Sequence, residues 1–561
     1  MPVSNRVLVI GLDGATWDVL DPWLRDGSLP NLTKLRQNGS WGPLRSTLPP
    51  LTAAAWSTFM TGKRPGKHGV FHFINLFDSD TTEKPSIVNA RSIKSSTLWD
   101  ILGHHQRKST VINVPMTYPP RPVNGTMITC FLTPKNASVF TYPPELSQKL
   151  TDYIIDLDRF IDSKPYQDGP EVGTINPSLS LLEEFREMTE KRARTTLSLK
   201  DSQPWDFFMV VFMSTDRMGH YLWPYHRSAD PNDPPEIQAL CRGVHQYYQR
   251  LDEIVGELVT KAGEDVTVVV MSDHGMGPKY SKRVHGNFWL QQHGWLSTVQ
   301  TNGVRSITSA DSWLKQLGLP RDKIGRLMFR LPGLSKNFVK KVAKSRSVNI
   351  DTEGSKAYFV PIYDNVAGIR INLVGEDKTA LCQEIIQELK KIVDPETGEK
   401  VVEQIYRGEE YYYGPYAVSI PDFIVIIRPD YGWGHHLGHY SSVVTKVVQA
   451  KLLRGDHRLD GIFLANGPGI MSNPEPLTNL AIEDVAPTIL YMLGLPVPSD
   501  IDGRVLTETL EPDILESRPV RYGEPVDFWP NKDEALFSDE VISAEDEAEL
   551  HARLRALGYL E

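Results

Sequence analysis

The 561-residue chain is predicted to fold as a doubly wound α/β protein, with a largely parallel sheet flanked by helices. Six short apolar runs, rich in β-branched residues, show no alternation with polar residues, which is typical of strands covered on both faces. Helical patterns separate some of these runs, notably at residues 178–199 and 236–262. The predicted strands lie at residues 6–13, 109–115, 206–216, 265–275, 421–430 and 461–470.

Three of these runs end in an aspartate, namely Asp13, Asp216 and Asp273. Ligands bind beyond the carboxyl ends of the strands in open α/β sheets, so the three carboxylates are candidates for one site. For any one of them alone, a turn or a helix cap is the commoner explanation. The three together, two of them with a nearby histidine, favour a functional site.

The histidines extend this set in a way that suits a metal ion. Asp216 and His220 stand four residues apart in "STDRMGH" and share one face if the chain turns helical there. His274 directly follows Asp273, and His457 precedes the last predicted strand. Carboxylates and imidazoles without thiols favour Zn²⁺ or Mn²⁺. Such a set could hold two ions roughly 3.5–4 Å apart.

The stretch "LPPLTAAAWSTFMTG", residues 48–62, contains the candidate nucleophile Thr52 at the predicted start of a helix. Its hydroxyl is either a helix cap or a nucleophile presented by the helix N-terminus. Coordination to a dication could favour the alkoxide form of the hydroxyl. The backbone N–H groups of the first helical turn would favour an anionic phosphoryl group. The segment alone favours the cap, whereas the acids and histidines elsewhere favour the nucleophile.

The motifs resemble those of the alkaline phosphatase superfamily, and within it the type I phosphodiesterase/nucleotide pyrophosphatase branch. They are "GLDGATWDVL", "PPLTAAAWSTFMTGKRPGKHGV", "STDRMGH", "SDHGM" and "GDHRLDGIFLANGPG", in that order over about residues 6 to 470. The resemblance implies an alkaline-phosphatase-like fold with an inserted cap, and a hydrolase acting on small-molecule phosphoesters through a phosphothreonine at Thr52. It also implies two divalent ions, zinc or else manganese, one held by Asp13, Thr52, Asp273 and His274 and the other by Asp216, His220 and His457.

The chain departs from this branch at Phe73. Nucleotide-cleaving diesterases similar to it have an asparagine there, which contacts a phosphoryl oxygen. A phenyl ring cannot donate that hydrogen bond, so the choice between monoester and diester stays open. A mutase-like phosphoryl transfer and a non-catalytic metal-stabilised protein are further alternatives. Thr52 argues against both, because the similar mutases use serine and a purely structural site needs no open hydroxyl position.

The predicted domains follow the order of the motifs. Residues 1–284 and 421–510 would form the two parts of the catalytic core, and residues 285–420 would form the cap that sets specificity in this superfamily. Residues 511–561 form an acidic tail in which Ser543 begins a capping pattern. An apolar stripe in the tail predicts a helix docked on the main domain, or one that binds a partner, at Leu550, Leu554 and Leu557.

Two further segments are open to more than one interpretation. Lys63 and Arg64 could attract phosphate, although with Gly62 they are more typical of a helix C-terminus. A glycine-rich loop at residues 432–442 could contact the substrate or a third ion, or could be a mobile surface loop. It contains His435, His436 and His439.

The composition bounds the partners and the compartment. With 40% hydrophobic and 23% charged residues, the chain has a typical globular composition. A net charge of −10 argues against nucleic acid as the main partner, because phosphate backbones need clustered basic surface. No apolar stretch approaches the roughly 18 to 20 residues of a membrane helix. Three scattered cysteines fit a reducing compartment, so we expect a cytoplasmic protein without a membrane partner.

Overall fold

The computed structural model describes most of the chain, in two compact units. The first unit comprises Met1–Lys279, Tyr412–Ile420 and Gln449–Glu561, and the second comprises Tyr280–Tyr411 and Pro421–Val448. The predicted boundaries of core, cap and tail stay a prediction. The described residues are 6–75, 86–150, 152–157, 175–299, 350–438, 440–447, 454–526, 542–557 and 559–560, with no account of the side chains of 175–178.

The strands of the described residues are numbered in chain order. They are β1 (Val7–Leu12), β2 (Ser40–Arg45), β3 (Ser109–Ile112), β4 (Gly125–Ile128), β5 (Thr141–Tyr142), β6 (Phe207–Phe212), β7 (Thr267–Met271), β8 (Gly275–Pro278), β9 (Lys282–His285), β10 (Ser297–Thr298), β11 (Ile350–Asp351), β12 (Ala357–Tyr363), β13 (Val366–Ile371), β14 (Val402–Arg407), β15 (Phe423–Ile427), β16 (Tyr431–Gly434), β17 (Val444–Lys446), β18 (Gly455–Arg458), β19 (Asp460–Asn466), β20 (Leu480–Ala481), β21 (Val497–Pro498) and β22 (Tyr522–Gly523).

The helices are numbered in the same way. They are α1 (Trp17–Arg25), α2 (Pro30–Gln37), α3 (Thr52–Thr61), α4 (Pro65–His68), α5 (Leu98–His104), α6 (Ile175–Ser202), α7 (Ser214–Leu222), α8 (Pro235–Ala262), α9 (Gly286–Gln292), α10 (Gly375–Leu389), α11 (Gly408–Tyr411), α12 (Val485–Met492), α13 (Pro512–Ser517) and α14 (Ala544–Ala556).

A nine-stranded sheet forms the centre of the first unit, in the order β20-β2-β19-β7-β1-β6-β3-β4-β5. The five strands β7, β1, β6, β3 and β4 are parallel to their neighbours in this group. By contrast, β19 is antiparallel to both β2 and β7, and β5 is antiparallel to β4. Every residue of β1, β6 and β7 is buried, as expected for strands covered on both faces. The predicted α/β class with a largely parallel sheet is confirmed.

One predicted strand belongs to a different sheet. The run at residues 421–430 contains β15, which lies in the antiparallel sheet β12-β13-β15-β14 of the second unit. Its five residues are all buried, so the apolar pattern correctly indicated burial. An apolar run carries no information about which strand is its neighbour or in which direction that neighbour runs. For the same reason, the apolar run at residues 461–470 does not indicate that β19 is antiparallel to its neighbours.

The second unit has its own apolar core. Its four-stranded sheet packs with α10 around buried residues that include Trp289, Ile369, Ile385 and Val425. A second small sheet has the order β16-β9-β17. The glycine-rich segment predicted as a loop at residues 432–442 begins inside β16, which includes residues 432–434, and His435 and His436 follow this strand. His439 lies outside the described residues.

The three cysteines are buried and unbonded to one another. Among the described residues, no helix combines the length and the apolar character needed to cross a membrane.

Candidate active site

The carboxyl ends of three neighbouring parallel strands bring the strand-end aspartates together. In the sheet, β1 lies between β6 and β7 and is parallel to both. Asp13 directly follows β1, Asp216 lies in the first turn of α7 after β6, and Asp273 lies just beyond β7. All three side chains are fully buried. The predicted meeting of these residues at one edge of the sheet therefore occurs.

Thr52 is the first residue of α3, but its side chain does not serve as the helix cap. Leu51 occupies the N-cap position, and no side chain of the described residues forms a capping hydrogen bond there. The Thr52 hydroxyl oxygen Oγ1 instead lies 3.3 Å from Nε2 of His274, in a fully buried environment. The hydroxyl is thus directed at a candidate metal ligand rather than at the backbone of its own helix.

The first group of candidate ligands surrounds His274. Its Nε2 atom lies 3.3 Å from Asp273 Oδ2 and 3.9 Å from Asp13 Oδ1. Ligand atoms from these three buried residues lie within 4.8 Å of one another. Thr52 Oγ1 adjoins the same Nε2 atom, so all four residues predicted for one ion come together.

The second group surrounds Asp216. Its Oδ1 atom lies 3.3 Å from Nε2 of both His220 and His457, and these two Nε2 atoms are 3.0 Å apart. Tetrahedral ligands with bonds of about 2.0–2.1 Å are roughly 3.3 Å apart, so this triangle has the size of one face of a zinc polyhedron. His274 also lies close, because its ring stacks on that of His457 with the centroids 3.6 Å apart. The two groups of ligands are therefore adjacent.

Each carboxylate is held through one oxygen, and its other oxygen has no hydrogen-bond partner among the described residues. Trp56 donates to Asp13 Oδ2 at 2.7 Å, and the backbone N–H of Gly14 donates to Asp273 Oδ1 at 3.3 Å. Within the described part of the chain, Asp13 Oδ1, Asp216 Oδ1 and Asp273 Oδ2 are buried without a hydrogen-bond partner. Buried polar atoms are nearly always satisfied, so three such oxygens in one place indicate a missing positive partner.

The three histidines share a complementary arrangement. In each, Nδ1 contacts a backbone carbonyl oxygen: that of Gly455 for His220, of Gly275 for His274 and of Pro50 for His457, at 3.1, 3.0 and 2.7 Å. A hydrogen bond of this kind places the proton on Nδ1 and leaves the Nε2 lone pair available to a metal. The donor set therefore fits a pair of divalent ions.

The pKa values in this cluster reflect the crowding of charge. Burial, followed by the neighbouring carboxylates, raises the pKa of Asp13 and of Asp273 well above the ordinary value. Burial opposes the charge on Asp216 as well, but His220 and His457 bring its pKa below the usual range. Burial also lowers the pKa of His457. Three carboxylates packed this closely repel one another, and bound cations would relieve the repulsion.

Two residues of the site were not singled out from the sequence. Arg217 is fully buried, and its guanidinium Nη1 lies 3.2 Å from Asp216 Oδ2. Tyr559, at the end of the chain, places its hydroxyl 2.8 Å from the same oxygen and 3.4 Å from Thr52 Oγ1. Arg217 lies within the motif "STDRMGH" and could have been noticed there. Tyr559 carries no local signal, because more than 340 positions separate it from Asp216.

The two basic residues that follow α3 form ion pairs with acidic side chains. Lys63 forms an ion pair with Asp500, and Arg64 Nε lies 3.0 Å from Glu483 Oε1. Gly62 ends α3 in the left-handed conformation, with a φ of 64°. The structure thus supports the helix-terminus interpretation of this pair over phosphate attraction.

A buried hydroxyl beside two groups of carboxylate and imidazole ligands, at the carboxyl edge of a sheet, is typical of a metal-dependent hydrolase. The chain belongs to the type I phosphodiesterase/nucleotide pyrophosphatase family, whose sequence pattern matches residues 7–440. This is a family of phosphoester hydrolases within the alkaline phosphatase superfamily. The resemblance inferred from the motifs and the enzymatic class are therefore confirmed.

Individual relatives are distant. Phosphonoacetate hydrolase from Sinorhizobium meliloti 1021, solved with phosphonoacetate, is 15% identical with a TM-score of 0.49, over 88% of this chain and 96% of its own. An inactive murine ectonucleotide pyrophosphatase/phosphodiesterase 5, solved with AMP, is 13% identical with a TM-score of 0.46. The match covers 90% of this chain and 100% of the murine chain. A 122-residue segment is 31% identical to an extracellular sulfatase SULF-1 homolog of Drosophila melanogaster. That segment is 22% of this chain and only 10% of the sulfatase homolog.

Proposed function

We propose that this protein hydrolyses phosphodiester or phosphoanhydride bonds of small molecules through Thr52 and two divalent ions, zinc or else manganese. The observation that carries the proposal is the position of the Thr52 hydroxyl. It begins a helix without capping it, and it lies 3.3 Å from Nε2 of His274, whose neighbouring buried carboxylate oxygens have no hydrogen-bond partner among the described residues. A hydroxyl with only a structural role would have no reason to adjoin this cluster.

The residues present fit the proposed ions. The carboxylates hold one oxygen fixed and keep the other available, and the histidines keep Nε2 available. When bound, the ions would lower the pKa of the threonine hydroxyl and of water, and would offset negative charge on the phosphoryl group. The proposed ligands are Asp13, Thr52, Asp273 and His274 for one ion and Asp216, His220 and His457 for the other.

The chain's own residues then carry out the displacement. Thr52 Oγ1 loses its proton to solvent and attacks the phosphorus atom, while the bond from phosphorus to the leaving oxygen breaks and the leaving group departs with the bonding electrons and takes up a proton from solvent. The phosphoryl group stays on Thr52 until water attacks the same phosphorus and gives up a proton to solvent, and the released threonine oxygen is protonated again. The first N–H groups of α3 have no partner within the helix, and they favour negative charge at this position. Splitting one difficult displacement into two easier steps is the advantage of a covalent intermediate.

A phosphomonoester is the second candidate substrate, because of Phe73. Its ring is fully buried and stacks on the ring of Tyr559, with the centroids 4.6 Å apart. It therefore offers no hydrogen bond to a phosphoryl oxygen, unlike the asparagine that the resemblance places here.

A reconstitution assay tests the proposed function. The full-length protein is freed of metal with a chelator and then supplied with Zn²⁺ or Mn²⁺. Its substrates are p-nitrophenyl phosphate, bis(p-nitrophenyl) phosphate, a p-nitrophenyl phosphonate and p-nitrophenyl sulfate. We expect cleavage of a phosphoester only after metal is restored, and elemental analysis should find close to two ions per chain. The Thr52→Ala variant is the matched inactive control.

Two outcomes would contradict the proposal. Full phosphoester cleavage by the metal-free protein would exclude the role of the ions. Cleavage of the sulfate ester alone would place the substrate in another class. The ratio of rates on the monoester and the diester decides between the two candidate substrates.

A further inference from the structure

The C-terminal end of the chain reaches into the candidate active site. Tyr559 is 2% exposed, and its hydroxyl contacts the proposed nucleophile and a proposed metal ligand. The family pattern ends at residue 440, so this tyrosine lies outside the matched region. The contacts are therefore a feature of this chain that the family assignment does not explain.

The hydrogen bonds of the Tyr559 hydroxyl are complete. It donates to Asp216 Oδ2 at 2.8 Å, and it accepts from Arg217 Nη1 at 2.8 Å and from the Thr52 hydroxyl at 3.4 Å. A phenol has one donor and two lone pairs, so these three contacts use its full capacity. The hydroxyl joins the nucleophile, a metal ligand and a buried cation through one atom.

The position of Tyr559 is fixed by the helix before it. Ser543 and Asp546 form a capping box at the start of α14. Arg553 is fully buried and donates to the backbone oxygens of Phe131 and Thr133. The predicted apolar stripe of this helix is buried, with exposures of 1%, 0% and 0% at Leu550, Leu554 and Leu557.

The aromatic ring of Tyr559 is held as well. Phe73 stacks on it with an interplanar angle of 28°, and Phe131 lies on the same ring with the centroids 6.1 Å apart. Phe73 is the residue at which the chain departs from nucleotide-cleaving diesterases. Its apolar ring thus has a structural role here, because it supports a polar group supplied from elsewhere in the chain.

We propose that Tyr559 is a positioning residue that completes the active site from the C-terminal end. By holding Asp216 Oδ2, it directs Oδ1 towards the ion that His220 and His457 would share, and by accepting from Thr52 it orients the hydroxyl before that hydroxyl loses its proton. Groups that orient metal ligands in this way are worth about 10–100-fold in metal affinity or activity. The proposal rests on the proposed function for the role of Thr52, but the effect on metal affinity can be measured without any substrate.

The test compares Tyr559→Phe with a matched control in the full-length protein. Tyr559→Phe keeps the stacked ring and removes the hydroxyl. Tyr491→Phe is the control, because this buried tyrosine of α12 donates to the backbone oxygen of Arg518 at 2.7 Å rather than to a proposed ligand. Zn²⁺ affinity is measured by competition with a chromogenic chelator, and kcat and KM are measured with the best ester of the screen.

We expect Tyr559→Phe to weaken the binding of one ion by about 10–100-fold and to lower kcat by a similar factor, with a smaller change in KM. The control should change neither quantity. Phe73→Leu keeps the hydroxyl but loses the stacked ring, and it should cause a smaller loss of the same kind. This second variant preserves the test if Tyr559→Phe does not fold, as judged by its thermal unfolding.

Two results would overturn the proposal. Wild-type zinc affinity together with wild-type kcat in folded Tyr559→Phe would show that the hydroxyl positions nothing. A higher kcat/KM in this variant would show that the tail obstructs the site rather than completing it. If the wild type binds two ions but cleaves no phosphoester, the proposed function fails while the metal-affinity comparison still decides the role of Tyr559.

Discussion

Thr52 and Ser543 are both hydroxyl residues at the start of a helix, but their surroundings differ. Ser543 Oγ accepts from the backbone N–H of Asp546 at 3.1 Å, and the backbone N–H of Ser543 donates to Asp546 Oδ2 at 3.4 Å, so the two residues form a complete capping box. Thr52 begins α3 one position later than a cap would stand, and its hydroxyl faces His274 and Tyr559. One hydroxyl completes a helix, whereas the other is directed away from its own helix.

The difference shows how a hydroxyl that caps a helix can be distinguished from one that is free to take part in catalysis at the start of a helix. A cap satisfies backbone N–H groups and contributes about 0.5–2 kcal/mol to stability. At α3, no side chain among the described residues makes this contribution, so the first N–H groups remain available to a bound anion. We therefore expect changes at Thr52 to affect turnover and changes at Ser543 to affect stability.

The largest expected effect is that of Thr52→Ala. Loss of the nucleophile should lower kcat by roughly three or more orders of magnitude. The free energy of unfolding should fall by only about 1–2 kcal/mol, because the hydroxyl's contacts are with His274 and Tyr559 rather than with its helix. Steady-state kinetics and chemical denaturation measure the two quantities. A Thr52→Ala variant that unfolds at a lower temperature but keeps near wild-type turnover would show that Thr52 has a structural role and no catalytic one.

Substitutions of the acidic residues near the two hydroxyls should also differ in their effects on metal content and turnover. Asp273→Asn should reduce the bound metal from close to two ions per chain towards one, and kcat should fall with it, since an amide cannot supply the same charge. Asp546→Asn, at the capping box, should leave both quantities unchanged. Elemental analysis of the purified proteins provides the measurement. An unchanged metal content in Asp273→Asn would remove this residue from the proposed ligands.

Thr52→Ser tests whether the hydroxyl itself is required. The variant keeps the nucleophilic oxygen and loses one methyl group, so it should retain measurable turnover, well above that of Thr52→Ala. The matched change Ser543→Thr should leave turnover unaltered, because threonine also caps helices. If Thr52→Ser is as inactive as Thr52→Ala, the loss in both variants must come from packing rather than from chemistry.

The smallest expected effect on catalysis is that of Ser543→Ala. Loss of the cap should lower the free energy of unfolding by about 0.5–2 kcal/mol, while kcat changes little as long as α14 stays docked. Urea denaturation and the chromogenic assay measure the two. A large fall in kcat without a change in stability would show that Ser543, too, acts in catalysis.

The sequence predicted the fold class, and it singled out residues that the structure brings together, but it did not predict the strand pairing around them. Asp13, Asp216 and Asp273 were singled out because strand ends and motif order are local features that periodicity reveals. The partner of β15 and the direction of β19 were not found, because strand pairing depends on contacts distant in sequence. Tyr559 was missed for the same reason, since nothing near it indicates that its hydroxyl reaches Asp216.

The most direct test of the central claim is to trap the covalent intermediate. The wild-type enzyme is quenched with acid during turnover of p-nitrophenyl phosphate or the best ester of the screen, and its peptides are examined by mass spectrometry. We predict a phosphoryl adduct on Thr52, the same adduct on serine in Thr52→Ser, none in Thr52→Ala and none on Ser543. An adduct on another residue, or undiminished turnover by Thr52→Ala, would contradict the role assigned to Thr52.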